Sequence, residues 1–289
     1  MTVDREGPLP DADAVREAMD RVVAEHGPWT TPIELGHGVL SCDPSADSSQ
    51  GTRLPRIVQA AQDLLGDLRG RRVLDLGCLE GAVSIALALR GASVLGVEGR
   101  VSNVARARFA ARALGLRNLE FVHDDVRRLS ASRWGSHDLV LCLGILYHLP
   151  AADAFALVAR LSEVTRRVAL VDTHIALVET SRPLVGPLHD VEHEGQTYRG
   201  RDYQEFPPDS SAEERLKSAW ATLDARPSFW PTRPSLVNLL ARAGFTSLFE
   251  ALEPVWRGMP EDRVMLAAFK GPPFGARASG AEREPFPGD

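Results

Sequence analysis

Hydrophobic positions between residues 71 and 176 alternate between short apolar runs and segments of helical periodicity. The runs of strand length are 73–77, 93–98, 119–123, 138–146 and 167–176. The segments between them, whose apolar residues recur every three or four positions, are 80–90, 101–114, 125–133 and 151–164. Near-continuous apolar strands that alternate with helices are typical of a parallel sheet covered on both faces. We therefore predict a doubly wound α/β fold.

The flanking segments follow other patterns. Amphipathic helices are predicted at 11–25 and 53–69, and the turn-rich but partly apolar stretch between them predicts a packed arm. We expect residues 1–52 to form a helix and arm that cap the core, and residues 53–176 to form the core itself.

The regular alternation stops after the fifth strand. Residues 177–231 are rich in proline and charge, with one helical piece near 211–224, and are too long for a structureless connector. We predict a substrate-binding insertion or lid there. Helix 233–243 and strands 246–251 and 263–269 complete the core sheet within 232–270, and the glycine- and proline-rich stretch 271–289 predicts a disordered tail.

Composition narrows the class of protein. The chain has 289 residues, 44% hydrophobic and 25% charged, and a net charge of −6, which argues against nucleic acid as a partner. Three widely spaced cysteines, Cys42, Cys78 and Cys142, argue against a disulfide framework. No signal peptide or membrane span is apparent, so we expect a cytoplasmic protein. The oligomeric state stays open, with a homodimer among the options.

The first apolar run leads into a glycine-containing turn, Val73-Leu74-Asp75-Leu76-Gly77-Cys78-Leu79-Glu80-Gly81, that opens a helix. Gly77 and Gly81 allow a ligand to approach the backbone closely. Glu98 ends the second strand, where a carboxylate can accept hydrogen bonds from both hydroxyls of a ribose. Glu80 in the first helical turn would repel a diphosphate, so the spacing predicts a nucleoside without phosphate.

Two later strand ends add to this pattern. Asp124 and Asp125 follow the third strand, where a carboxylate can accept the amine of adenine, and Cys142-Leu143-Gly144-Ile145-Leu146-Tyr147-His148 ends the fourth. With these four motifs in order, the chain resembles the class I S-adenosylmethionine-dependent methyltransferases over roughly 70–175. The resemblance implies a Rossmann-like, mostly parallel seven-stranded sheet and S-adenosylmethionine as the cofactor.

Position by position, the resemblance implies a set of cofactor-binding residues. Asp75, Gly77, Cys78 and Gly81 correspond to the glycine-rich loop around the methionine part, although Cys78-Leu79-Glu80 stand where many members carry a further glycine. Glu98 corresponds to the ribose carboxylate. The residues expected at the adenine are Asp125, with Asp124 as the alternative, and Val126; those beside the methionyl chain are Cys142 and Leu143.

A hydroxyl acceptor must lose a proton during methyl transfer, which calls for a general base. Candidates at the carboxyl edge of the sheet are His148 after strand four, and Asp172 and His174 at the end of strand five. Each has a structural alternative, and His148 has the alternative of ending a strand and beginning a helix.

One motif points to a different chemistry. His189-Asp190-Val191-Glu192-His193 fits the H-x-x-E-H pattern of some zinc proteases, which needs both histidines on one stable helix. Pro187 and Gly195 bracket the segment, so we predict a surface loop and no metal site, while a metal that assists an acceptor diol stays an alternative.

Aromatic and polar residues in the arm, in the insertion and beside His148 are candidates for substrate binding, although each has the alternative of packing against the core. They are Trp29, Tyr147, Tyr198, Arg201, Tyr203 and Trp230.

These observations predict a methyltransferase that modifies a small-molecule acceptor in biosynthesis, at an oxygen atom. Strand four lacks the motifs of adenine-amine and cytosine-carbon methylation. The stretch 144–148 is similar to bacterial transfer-RNA wobble-uridine carboxymethyl transferases, so that function is kept as an alternative. A non-catalytic protein that binds S-adenosylmethionine is a second alternative.

Overall fold

The structure is a computed structural model that describes residues 9–44, 50–218, 220–250 and 260–271. Within these ranges it contains eight α-helices and ten strands. The helices are α1 (Ala12–His26), α2 (Gln50–Leu65), α3 (Ala82–Ala88), α4 (Val101–Ala113), α5 (Ala131–Trp134), α6 (Ala151–Val164), α7 (Ala212–Lys217) and α8 (Arg233–Arg242). The strands are β1 (Arg72–Leu76), β2 (Ser93–Glu98), β3 (Leu119–His123), β4 (His137–Leu143), β5 (Thr165–His174), β6 (Val185–His193), β7 (Gln196–Tyr203), β8 (Ser228–Pro231), β9 (Ser247–Glu250) and β10 (Arg263–Phe269).

Seven strands form one sheet in the order β3-β2-β1-β4-β5-β10-β9. The first five pair in parallel, whereas β10 runs antiparallel to both β5 and β9. The predicted doubly wound, mostly parallel fold is confirmed. The chain order reverses between β1 and β4, and this is the point at which ligands bind in open α/β sheets.

Alternating residues of the strands pack on opposite faces, as the two-residue period of a strand requires. On β1, Leu74 packs with buried residues of α6 and α8, whereas Val73 packs with those of α2 and α3. Both faces of the sheet are therefore buried, which is why its strands are apolar throughout.

The N-terminal arm packs on this core. Trp29 is buried against Phe109 of α4, with ring centroids 5.7 Å apart. The buried carboxylate of Glu80 accepts hydrogen bonds from the backbone N–H groups of Thr30 and Thr31 and forms an ion pair with Arg106 at 3.1 Å. Glu80 thus ties the arm to the turn that precedes α3.

The insertion differs from its prediction in two ways. It forms a three-stranded antiparallel sheet, β6-β7-β8, that the sequence analysis did not anticipate, and the predicted helix 211–224 is only the short α7. The predicted surface loop of the H-x-x-E-H motif is wrong, because His189 and His193 lie on strand β6. A strand cannot provide the helical spacing of the two histidines on which that zinc chemistry depends.

Several other predictions are shifted or untested. The predicted helix at 125–133 is a short 3-10 turn, Val126–Arg128, followed by the single turn of α5. The predicted tail lies outside the described residues, apart from Gly271. Among the helices of the described ranges, none is both long and apolar enough to cross a membrane.

Candidate active site

A cavity of about 430 Å³ lies at the carboxyl ends of β1, β2, β3 and β4. A second cavity of about 40 Å³ adjoins it and shares part of its wall, including Gly77, Leu79 and Leu143. The combined space begins at the β1–α3 turn and reaches His148 after β4. Its position is the one that the reversal of strand order predicts.

The β1–α3 turn is shaped by residues in the left-handed region. Gly77 has φ +65° and Gly81 has φ +85°. A Cβ atom on Gly77 would lie 2.1 Å from Ile145 Cδ1, and one on Gly81 would lie 2.4 Å from Phe121 Cζ, so glycine is required at both positions. Leu79, in the stretch where many related loops carry a further glycine, itself adopts φ +50°. The turn therefore keeps its shape without that glycine.

Glu98 is buried at the end of β2 and lines the large cavity. Its Oε2 accepts the N–H of Leu79 at 3.1 Å, and its Oε1 accepts the N–H of Arg100 at 2.9 Å. Oε1 also accepts a hydrogen bond from Nδ2 of Asn103 at 3.4 Å. These bonds fix the carboxylate at the wall, and Oε2 keeps a further lone pair for a ligand hydroxyl. This geometry suits the predicted ribose contact.

Asp124, Asp125 and Val126 all line the large cavity beyond β3. Asp124 is buried and is bound by Arg133 Nε at 2.6 Å. Burial alone would raise the pKa of Asp125, but hydrogen bonds from Arg127 outweigh it and lower that pKa. Both carboxylates are therefore held in place by arginine side chains, and the low pKa of Asp125 keeps it an acceptor for the adenine amine.

The remaining predicted cofactor residues lie on or behind the wall. Asp75 and Cys78 line the smaller cavity, and Leu143 lines both, whereas Cys142 lies fully buried behind them. Burial raises the pKa of Asp75 to about 6, opposed by a 2.7 Å hydrogen bond from Ser84 Oγ. Burial also raises the pKa of the Cys142 thiol to about 12, so this thiol stays protonated and unreactive.

His148 lies on the cavity wall in a short 3-10 turn after β4. Its Nδ1 is 3.0 Å from Oε2 of Glu205, a residue of the insertion. Burial alone would raise the pKa of Glu205, but the hydrogen bond and charge of His148 outweigh it and hold that pKa low. Because an ionised carboxylate only accepts hydrogen bonds, Nδ1 is the nitrogen that donates to Glu205, and in the neutral form of the ring the lone pair is then on Nε2.

Asp172 and His174, the other two base candidates, have different surroundings. Asp172 is fully buried and forms ion pairs with Arg53 at 3.0 Å and Arg263 at 2.6 Å. His174 contacts Asp262 at 3.0 Å and stacks on Trp230 with centroids 4.6 Å apart. Neither lies on the wall of the two cavities, so these contacts favour supporting roles.

His174 makes a testable contribution to stability. Its burial, with the charge of Arg263, lowers its pKa from about 6.5 to about 4. Between these pH values the unfolded chain binds more protons than the folded chain does, so the free energy of unfolding increases with pH. The stability that the neutral His174 contributes is therefore lost as the pH falls from 6.5 through 4. In urea unfolding from pH 4 to 7, His174→Gln should show a smaller pH-dependent loss than the wild type, by up to about 3 kcal/mol. His189→Gln, at a half-exposed histidine, is the control. Equal pH dependence in the wild type and His174→Gln would contradict the lowered pKa of His174.

Of the predicted substrate residues, only Tyr147 lies on the cavity wall. Trp230 donates its Nε1–H to the carbonyl of Tyr147 at 3.0 Å, and Tyr203 packs on Trp230, so both support the site from behind. Trp29 and Tyr198 are core residues, and Arg201 binds backbone carbonyls of the insertion.

Several cavity residues escaped the sequence analysis because no local motif marks them. Arg53 lies on α2 and Arg263 on β10, far apart along the chain, and both line the cavity. Glu205 of the insertion forms a hydrogen bond with His148. Five further wall residues form a covering segment, Trp220–Asp224. Arg100 also lines the cavity. Its position in the chain close to Glu98 was the one feature of the sequence that could have marked it as a site residue.

Comparison with known proteins points to one family. Residues 73–167 match the family model described as a methyltransferase domain. The ubiquinone biosynthesis O-methyltransferase of Acinetobacter baumannii (strain AYE) is 34% identical over 85 residues, which cover 29% of this chain and 36% of that protein. The protein of the same name from Bordetella avium (strain 197N) is 35% identical over 96 residues, 33% of this chain and 39% of its own. The chain thus spans well under half the length of these curated relatives.

A solved structure extends the similarity beyond this core. This structure is the N-terminal domain of EvdMO1, determined in the presence of SAH and D-fucose. The match covers 89% of this chain and 97% of the EvdMO1 domain, with 27% identity and a TM-score of 0.66. Residues 73–167 therefore match a methyltransferase domain, and the EvdMO1 domain, to which most of this chain is similar, has been determined with SAH bound. This confirms the methyltransferase family predicted from the sequence, and the ligand of the EvdMO1 domain agrees with the predicted cofactor, S-adenosylmethionine.

The described residues fit that cofactor. The turn at Gly77 leaves no room for a side chain, and the carboxylate of Glu98 faces the cavity. Glu80, predicted to repel a diphosphate, is instead paired with Arg106 and bound by the arm. The methionine part would adjoin Gly77 and Leu143, the ribose Glu98, and the adenine Asp124, Asp125 and Val126.

Proposed function

We propose that this protein transfers a methyl group from S-adenosylmethionine to a hydroxyl oxygen of a small molecule. The observation that carries the proposal is the His148–Glu205 pair, 3.0 Å apart, on the wall of the cavity that also contains Glu98. A carboxylate acceptor needs no base, whereas a hydroxyl gains from one as it becomes a nucleophile.

The residues of the chain have distinct tasks in this reaction. When bound, S-adenosylmethionine supplies a methyl group for in-line displacement, which requires the acceptor oxygen to be held opposite its sulfur. His148 Nε2 accepts the hydroxyl proton, and Glu205 stabilises the positive charge that then develops on the imidazole ring. Tyr147 and the covering segment 220–224 line the same space and help to exclude water.

For the acceptor we propose a sugar hydroxyl. Support comes from the EvdMO1 domain, whose structure was determined with D-fucose and whose length this chain covers almost completely. An alkyl hydroxyl is also a much weaker acid than a phenol, so a carboxylate-oriented histidine is of greatest use there.

The acceptor class is tested by measuring methyl transfer from labelled S-adenosylmethionine to a panel of compounds. The panel contains D-fucose and other deoxyhexoses, free and as glycosides, together with catechols and carboxylic acids. We expect label on a sugar hydroxyl. Label on catechols or acids alone would contradict the sugar proposal.

Two binding measurements, added to this panel, separate the two alternative functions. Binding of S-adenosylhomocysteine without turnover on any acceptor would favour a non-catalytic binder. Tight, salt-sensitive retention of transfer RNA in a filter-binding assay would favour the wobble-uridine function.

A further inference from the structure

Arg100 is a buried cation between the cofactor end of the cavity and the covering segment. The residue is 6% exposed, and its Nη2 lies 2.7 Å from the carbonyl oxygens of both Ser218 and Ala221 and 3.2 Å from that of Arg215. A single guanidinium thus holds backbone of the insertion against the first turn after β2.

The backbone of Arg100 binds the predicted ribose carboxylate. Its N–H donates to Glu98 Oε1 at 2.9 Å, on the same carboxylate that faces the cavity. A ligand that orders Glu98 therefore also orders the backbone that carries the Arg100 side chain.

The covering segment continues this connection to the proposed base. Thr222, next to Ala221, donates its N–H to Glu205 Oε2 at 2.8 Å and its Oγ1–H to the carbonyl of His148 at 3.0 Å. Glu205 Oε2 is also the atom that orients His148 Nδ1. Movement of Thr222 would therefore change both partners of the proposed base.

Charge supports the same arrangement. Burial lowers the pKa of the Arg100 guanidinium, and the carboxylates of Glu98 and Glu205 oppose that decrease. Arg100 is thus attracted both by the carboxylate at the cofactor and by the one at the base. Removing the guanidinium would leave three backbone carbonyls without this donor.

We propose that Arg100 is a positioning residue that couples cofactor binding at Glu98 to the placement of Thr222 and, through it, of the Glu205–His148 pair. The inference rests on the proposed function for its catalytic consequence, but the coupling itself is a property of binding. Because such coupling is reciprocal, the contacts of Arg100 with the insertion also strengthen cofactor binding.

Hydrogen exchange of the backbone amides in 220–224 tests the coupling without an acceptor. In the wild type, saturating S-adenosylhomocysteine should slow exchange there by roughly 5- to 150-fold, the usual range for coupled sites. In Arg100→Met this slowing should disappear, and affinity for S-adenosylhomocysteine should fall. Arg108→Met, on the same helix and bound to the carbonyl of Phe121, is the matched control that should retain it.

Kinetics test the consequence for the base. Arg100→Met should lower kcat at saturating cofactor more than it raises the acceptor KM. Thr222→Val should lower kcat by a larger factor than it weakens S-adenosylhomocysteine binding. Arg100→Lys, which keeps one donor, should recover part of both effects and serves if Arg100→Met does not fold. Undiminished protection of 220–224 by S-adenosylhomocysteine in both Arg100 variants would overturn the coupling. Normal coupling with no turnover on sugars would count against the proposed acceptor alone.

Discussion

Replacing His148 with alanine should lower the rate of methyl transfer by about 10²- to 10⁴-fold, the usual contribution of a positioned general base. His148 is the one predicted base that lies on the cavity wall, and Glu205 fixes its ring with Nε2 available. The measurement is kcat against pH at saturating cofactor. The pH dependence that a general base gives to the wild-type rate should be absent from His148→Ala.

Two further variants make that result specific. Glu205→Gln keeps the shape of the partner but loses its charge, so it should produce a smaller loss of kcat than His148→Ala. His189→Ala, which removes a histidine of the insertion sheet, should leave the rate unchanged. If His148→Ala kept the wild-type rate across pH, the base assignment would be wrong while the cofactor assignment stood.

The second large effect concerns Glu98. Replacing Glu98 with alanine should weaken S-adenosylhomocysteine binding by at least about 10- to 150-fold, because each hydrogen bond to a buried charge contributes about 1.5–3 kcal/mol. The substitution also removes the acceptor for the N–H groups of Leu79 and Arg100, so the turn itself should lose order. Isothermal titration calorimetry measures the affinity.

Its controls separate charge from position. Glu98→Gln keeps one acceptor oxygen and should fall between the wild type and Glu98→Ala. Glu120→Ala removes an exposed carboxylate from the neighbouring strand β3 and should bind as the wild type does. An unchanged dissociation constant in Glu98→Ala would refute the ribose contact.

The core of the fold was predictable because its signals are local. Strands such as 73–77 and 93–98 are buried on both faces and read as continuous apolar runs. The sheet of the insertion was missed because its strands β6 and β7 carry charged residues on their exposed side. One signal for it was present: Glu194-Gly195 joins His193 to Gln196 as a two-residue hairpin turn with positive φ at both positions.

Sequence alone determined the sheet, the turn at Gly77 and Gly81, and the carboxylates at the strand ends, because each depends on residues adjacent in the chain. Only the tertiary structure paired His148 with Glu205, or Arg100 with Ala221. Residues so distant along the chain are brought together by packing of the insertion on the core, which no local pattern encodes. The same packing buried Asp172 between Arg53 and Arg263 and left His148 facing the cavity. The three candidate bases, of which His148 was the leading one from the sequence, therefore became one base and two supporting residues in our proposal, because burial and ion pairing depend on the folded surroundings.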